Sequence, residues 1–153
     1  MENIESIVAR QPFLRGIKPE HFHILDKCAS FAQFKPEEVI FSEGGQADRF
    51  YLINTGLVSL ETRIPGQGLQ TLQTIGPGDA LGWSWMFEPH RWHFTARALE
   101  NGEFVSFDAK QLHEQIEANH ELGYELWKRF ARVVLQRLQA TRRQLLDVNR
   151  ASH

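Results

Sequence analysis

The chain has 153 residues, 42% of them hydrophobic, a formal net charge of -2 and a mean hydropathy of -0.39. That length suits one compact domain burying about two thirds of its unfolded surface. No run approaches the roughly 18 apolar residues of a spanning helix, and residues 1–5 open no secretory signal, so a soluble cytoplasmic protein without membrane contact is expected. The single cysteine, Cys28, can close no internal disulfide and reads as a small buried hydrophobe. Seventeen basic against nineteen acidic side chains are too balanced for a polyanion-binding surface. Residues 121–153 are an exception, with seven basic and three acidic side chains, which suits the end of a long helix.

Over residues 1–30, Ile4, Ile7 and Val8, then Phe22, Leu25 and Cys28, recur at helical spacing, and Pro19 suits a first helical position. Two short helices are expected there. Over residues 31–107 the pattern changes, because eight of the eleven glycines fall from Gly44 to Gly82 among short β-branched and aromatic runs. Phe50-Tyr51-Leu52-Ile53 reads as a strand covered on both faces, and Asn54-Thr55-Gly56 as a tight turn. Val58, Leu60 and Thr62 then form one face of the next strand, with Ser59, Glu61 and Arg63 outward. After the turn Pro65-Gly66-Gln67-Gly68, further strands are expected at 70–75, 94–99 and 104–107. Their even spacing fits a closed β-roll, a jelly roll or double-stranded β-helix, better than a parallel sheet.

Helices follow over 108–148. Asp108 with Gln111 three residues later has the arrangement of a capping box. The final helix, from about Asn119, carries two apolar stripes. Tyr124, Trp127, Ala131, Val134, Leu138, Thr141, Leu145 and Val148 alternate by three and four residues, the seam of a coiled coil. Leu122, Leu126, Phe130 and Val133 run beside it. One stripe can pack on the roll while the other meets a second copy, and about 28 residues at 1.5 Å each span about 42 Å, more than so small a domain can cover. A homodimer is expected, with Tyr124, Trp127, Ala131, Val134, Leu138, Thr141 and Leu145 at its interface.

Phe41-Ser42-Glu43-Gly44-Gly45, the segment from Ala47-Asp48-Arg49-Phe50-Tyr51 to Gly56-Leu57-Val58, and Gly78-Asp79-Ala80-Leu81-Gly82 closely resemble the cyclic-nucleotide-binding domain family, the sensor module of catabolite-activator-type regulators. The order of elements agrees over essentially the whole chain. The resemblance implies a single domain over 1–153: N-terminal helices (1–30), a β-roll (31–107) holding a phosphate-binding cassette (78–98), and C-terminal helices (108–148) that end in a dimerising helix. In the family's cassette, Gly-Glu is followed about ten residues later by an arginine and then Val-Arg-Ala; the glutamate accepts from the ribose 2′-OH, and the arginine with backbone N–H groups binds the cyclic phosphate. Ala96-Arg97-Ala98 matches the tripeptide, which puts Trp92 at the arginine position and Trp83, after Gly82, at the glutamate position. Each lost charge-assisted partner removes about 1.5–3 kcal/mol, so tight binding of cyclic AMP in the family's manner is not expected. Trp92→Arg with Trp83→Glu is expected to strengthen that binding if the loop backbone is preserved. A one-residue shift instead brings Arg91 to the arginine position, with His93 and Thr95 close behind, and Ser84 with the N–H groups after Gly82 could hold an anion. Retained cyclic-nucleotide binding through Arg91 is therefore an alternative.

Trp83, Trp85, Phe87, Trp92 and Phe94 put three of the four tryptophans within ten positions. Two readings stand. Aromatic bulk can plug a disused pocket, or the rings can line a remodelled cavity for a flat or apolar effector whose polar or anionic end meets His90, Arg91, His93 or Arg97. Thr141, in Arg137-Leu138-Gln139-Ala140-Thr141, matches the family threonine that reaches the purine; otherwise it is a polar seam residue fixing register. The candidate ligand set is Gly82, Trp83, Ser84, Trp85, Arg91, Trp92, His93, Thr95, Arg97 and Thr141. The seven histidines show no reliable metal-ligand spacing, and no nucleophile elbow or Cys/His pair is present, so neither metal nor catalysis is expected. Too few residues follow Val148 for a recognition helix, so direct DNA binding is not expected. The chain reads as a stand-alone regulatory sensor whose only cofactor candidate is a cyclic nucleotide or another small effector. The rival reading is a ligand-free dimeric interaction protein.

Overall fold

The computed structural model describes residues 2–151; Met1, Ser152 and His153, the ends of the expected 1–153 domain, lie outside them. Asn3 caps the first helix, α1 (Ile4–Ala9), by accepting from the Ser6 N–H, and after a 3-10 turn at Pro12–Leu14 the proline at its first position opens α2 (Pro19–Lys27). Strand β1 (Ala29–Phe34) begins two residues before the expected start of the roll, because its pairing with the last strand runs from Ala29 opposite Phe107 to Phe34 opposite Gly102. Cys28 is buried at the junction, and burial pushes its thiol pKa up.

Seven strands follow β1: β2 (Val39–Phe41), β3 (Arg49–Thr55), β4 (Val58–Ile64), β5 (Gly68–Ile75), β6 (Ala80–Leu81), β7 (Thr95–Ala98) and β8 (Gly102–Asp108). They form two antiparallel four-stranded sheets, ordered β1-β8-β3-β6 and β2-β7-β4-β5, which make the β-roll. The run Phe50–Ile53 is buried on both faces, as its lack of alternation predicts. Gly56 turns the chain into β4 at φ +102, and a Cβ there would meet the Gly102 Cα at 2.7 Å, so the β3–β4 and β7–β8 connections meet backbone to backbone.

Strand β4 departs from the expected alternation. Ser59 and Glu61 are buried, although Arg63 is exposed. Their polar atoms are satisfied sideways along the sheet: Ser59 Oγ lies 3.2 Å from Thr71 Oγ1, and Glu61 accepts from Arg97 at 3.2 Å. Neighbouring strands therefore cover a face whose residue types read as solvent-facing.

Phe50 is the hub of the core. Its ring stacks on Phe107 (centroids 4.6 Å apart) and Trp85 (5.5 Å) and meets Phe130 edge-on at 4.9 Å. This cluster fastens the roll, the cassette and the last helix together. Helix α3 (Ala109–Ala118) starts with the Asp108 carboxylate accepting from the Gln111 N–H at 2.9 Å. Only half of a capping box forms, because the Asp108 N–H donates to the Cys28 carbonyl instead.

The last helix, α4 (His120–Ala151), has 32 residues, about 48 Å of axial length. Leu122, Leu126, Phe130 and Val133 are buried against the roll. Tyr124, Trp127, Leu138, Leu145 and Val148 are exposed, each by 41% or more, so the two sequence stripes separate into a packed face and an open one. No helix among the described residues is long and apolar enough to cross a membrane.

Candidate functional site

A cavity of about 310 Å³ opens between β4–β5, the cassette and α4. Leu60, Leu72 and Gln73 come from the roll, Trp83, His93 and Phe94 from the cassette, and Val134, Arg137, Leu138 and Thr141 from the helix. The helical contributors follow i, i+3, i+4, i+7, one face of a helix. Side-chain amides clamp that helix to β5: Gln73 Nε2 donates to the Arg137 carbonyl at 3.1 Å, and Gln144 Nε2 donates to the Leu72 carbonyl. The Thr141 hydroxyl donates to the same Arg137 carbonyl at 2.9 Å.

Of the expected ligand set, Trp83, His93 and Thr141 line this cavity. Trp83 is half-buried and tilted against Phe94, with ring centroids 5.1 Å apart. His93 Nδ1 lies 2.6 Å from the hydroxyl of the fully buried Ser84, so Ser84 orients the imidazole without forming part of the wall. Val134 and Leu138, read from sequence only as seam residues, also belong to the wall.

The remaining candidates lie elsewhere, for identifiable reasons. The β-bridge between Gln46 and Arg91, with Trp92 N–H donating to Gly45 and Gly44 N–H to Trp92, fixes an extended register in which alternate side chains face opposite ways. Arg91 is exposed, outside the cavity wall, and Trp92 is 5% exposed. The Trp92 indole lies flat on Phe41, with centroids 3.7 Å apart and planes 10° apart. Gly82 makes room for it: at φ +96, a Cβ there would come within 2.8 Å of Trp92 Cζ3. Trp92 and Trp83 thus occupy different environments, and substituting both does not create an Arg/Glu pair facing one ligand.

Trp85 is a core residue, 1% exposed and stacked in the Phe50 cluster. Its carbonyl accepts from His90 Nδ1 at 3.0 Å and His113 Nε2 at 2.9 Å, which ties the cassette turn to α3. Thr95 is buried and its hydroxyl accepts from the Glu43 N–H at 3.0 Å. Arg97 is turned away from the cavity, since it pairs across the sheet with Ser59 while Leu60, its neighbour on the opposite face, forms the wall. Glu61, at 3.2 Å, and Glu37, at 3.8 Å, hold its guanidinium. The two aromatic readings therefore divide by residue: Trp85 and Trp92 fill the interior, while Trp83 and Phe94 line a space.

Arg137 lies outside the expected ligand set, yet it lines the cavity. Its guanidinium donates to the Ala80 carbonyl at 2.8 Å, its Nε is buried without a partner, and burial lowers its pKa against the opposing influence of Asp79. The available signal was its place one turn before Thr141. Among the described residues no cluster of three or more His, Cys, Asp or Glu side chains could hold a metal ion.

The wall is thus mostly apolar and aromatic, with His93, Gln73, Thr141 and Arg137 as its polar groups. It can enclose a flat ring between Trp83, Phe94 and the helix, and can hydrogen-bond one polar edge.

The cyclic nucleotide-binding domain model matches residues 31–119. A CRP-like cAMP-activated global transcriptional regulator of Mycobacterium tuberculosis is 28% identical over 145 residues, covering 95% of this chain and 63% of that protein. The anaerobic regulatory protein of Bacillus subtilis is 26% identical over 132 residues, 85% of this chain and 55% of that one. A crystal structure from Geobacter metallireducens, assigned to cyclic nucleotide binding, aligns with a TM-score of 0.80 at 26% identity, covering 90% of this chain and 99% of that one. The chain spans about three fifths of the length of the curated relatives it matches, both of them regulatory proteins. The chain belongs to the cyclic nucleotide-binding domain family and is related to the bacterial regulators that carry this domain.

Proposed function

We propose that the chain is a regulatory sensor in which the family's pocket has been rebuilt for a flat, largely apolar effector with one acceptor or anionic edge. The observation that carries this reading is the cavity wall itself: Trp83 and Phe94 line it, and none of the described residues lining it carries a carboxylate that could accept from a ribose hydroxyl. His93, Gln73 and Arg137 supply the polar end. Native mass spectrometry of freshly purified protein tests it. A retained small molecule that is lost in Trp83→Ala supports the reading. Saturable binding of cyclic AMP or cyclic GMP that is lost in Arg91→Ala would replace it with the cyclic-nucleotide alternative. No retained molecule, together with a flat thermal-shift response to cyclic nucleotides and aromatic acids, would favour a ligand-free interaction protein.

The open face of α4 supports a homodimer as the working form. Tyr124, Trp127, Leu138 and Leu145 are large, exposed by 41–63%, and aligned at coiled-coil spacing with Ala131, Val134 and Thr141. A second copy of the same helix is self-complementary to such a seam. Because Val134, Leu138 and Thr141 also line the cavity, an effector there would touch the surface on which the partner helix sits. Sedimentation equilibrium is expected to return twice 17.7 kDa; a monomer at high concentration refutes the dimer.

A further inference from the structure

A second cavity, of about 280 Å³, lies on the other side of Arg137, where α4 faces the 3-10 turn at Pro12–Leu14 and the turn at Gly78–Ala80. Its lining is rich in basic residues: Arg129, Arg132 and Arg137, with Gln136 and a single acidic residue, Asp79. The three arginines are not equivalent. Glu125 neutralises Arg129, which also donates to the Arg15 carbonyl at 2.6 Å, so this side chain is part of the scaffold. The Arg132 side chain is exposed and has no ion pair or hydrogen bond among the described residues. Arg137 makes no ion pair among the described residues and leaves its buried Nε–H unsatisfied. Asp79 is partly occupied, its carboxylate accepting from the Gly76 N–H at 2.9 Å.

We infer that this cleft is a binding site for a small oxyanion-bearing ligand, a phosphate or compact dicarboxylate, held between Arg132 and Arg137 with Gln136 as an additional donor. Two arginines without ion pairs among the described residues, lining one space beside a single acidic residue, leave an excess of positive charge there, and the planar N–H fork suits carboxylate and phosphate oxygens alike. Burial holds the pKa of Arg137 below its ordinary value, and an anion beside it acts in the opposite direction. The volume is near the lower end for small-molecule sites, which fits a phosphate or a four-carbon diacid better than a nucleotide.

Calorimetry on the full chain, with inorganic phosphate and separately with succinate at ionic strength balanced by chloride, tests the inference. Saturable binding of either anion at one per chain is expected; phosphate alone would assign a tetrahedral oxyanion and succinate alone a dicarboxylate. Arg132→Glu is expected to weaken binding about tenfold or more. Arg63→Glu, the same charge change on the exposed end of β4, is expected to leave it unchanged. A melting temperature in chloride that matches the parent protein verifies that Arg132→Glu is folded. Trp83→Ala retains anion binding, so failure of the effector reading and failure of this one are separable. No saturable heat with either anion, or equal weakening by Arg63→Glu, overturns the inference.

Discussion

Truncating the two cassette tryptophans separates a residue that fills space from one that lines it. Trp92 is 5% exposed and stacked on Phe41 at 3.7 Å, beneath a glycine that leaves no slack. Trp92→Ala opens a hole that the surrounding backbone cannot close, and is expected to cost about 3–5 kcal/mol. For a chain of this size that lowers the melting temperature by about 6–20 °C. Against a typical total stability of about 5–15 kcal/mol it is a large fraction. Trp83 is half-buried with one face on an open cavity, so its removal forfeits only part of its contact area, about 1–2 kcal/mol. Urea unfolding followed by far-UV circular dichroism reads both without relying on the deleted fluorophores. Protein concentration is held fixed, because dimerisation would add to the apparent stability. A Trp92→Ala protein within 1 kcal/mol of the parent, or a Trp83→Ala protein less stable than Trp92→Ala, refutes the division between plug and wall. The same geometry predicts that Trp92→Arg with Trp83→Glu loses stability and gains no cyclic AMP affinity by calorimetry, since the new guanidinium would lie against Phe41.

Gly82→Ala is expected to destabilise by at least about 2 kcal/mol, as the left-handed backbone strain adds to a Cβ contact with a ring that is itself confined; an unchanged urea midpoint would contradict this. Leu145→Asp places a carboxylate at a seam position that is 62% exposed in the isolated chain, so it is expected to leave the fold intact while weakening self-association at least about tenfold by sedimentation. Asp26 has its pKa raised, first by desolvation and then by the nearby Glu5. The native state therefore holds this proton more tightly than the unfolded chain, and the carboxyl's contribution to stability falls as pH rises through its range. Asp26→Asn is expected to be more stable than the parent at pH 7, with the advantage disappearing below about pH 4; equal midpoints at both pH values would count against a desolvated carboxyl.

Much of the architecture was legible because it rests on local pattern. The uninterrupted run Phe50–Ile53, bounded by turn signals, reads as a strand buried on both sides, and the two stripes of α4 separate into buried and exposed sets. Strands β2 and β6, three and two residues long, carry no periodicity of their own and exist through their partners β7 and β3. Ser59 and Glu61 were misread for a related reason, because their burial depends on Thr71 and Arg97, which no local pattern brings alongside. In the cassette, composition identified the aromatic cluster but not its sorting. Whether Trp92 turns inward depends on the register fixed by Gln46 and Arg91, and a shift of one residue would exchange it with its neighbours. Arg137 was missed because an arginine on a long helix is ordinarily a solvated side chain; only the meeting of α4 with the Gly78–Ala80 turn buries it.

The double acceptance at the Trp85 carbonyl, from one imidazole in the loop and one in α3, means that the cassette's shape is set by the protein's own side chains. A guest entering such a preformed cradle forfeits little chain freedom on arrival, so modest contacts suffice to retain it.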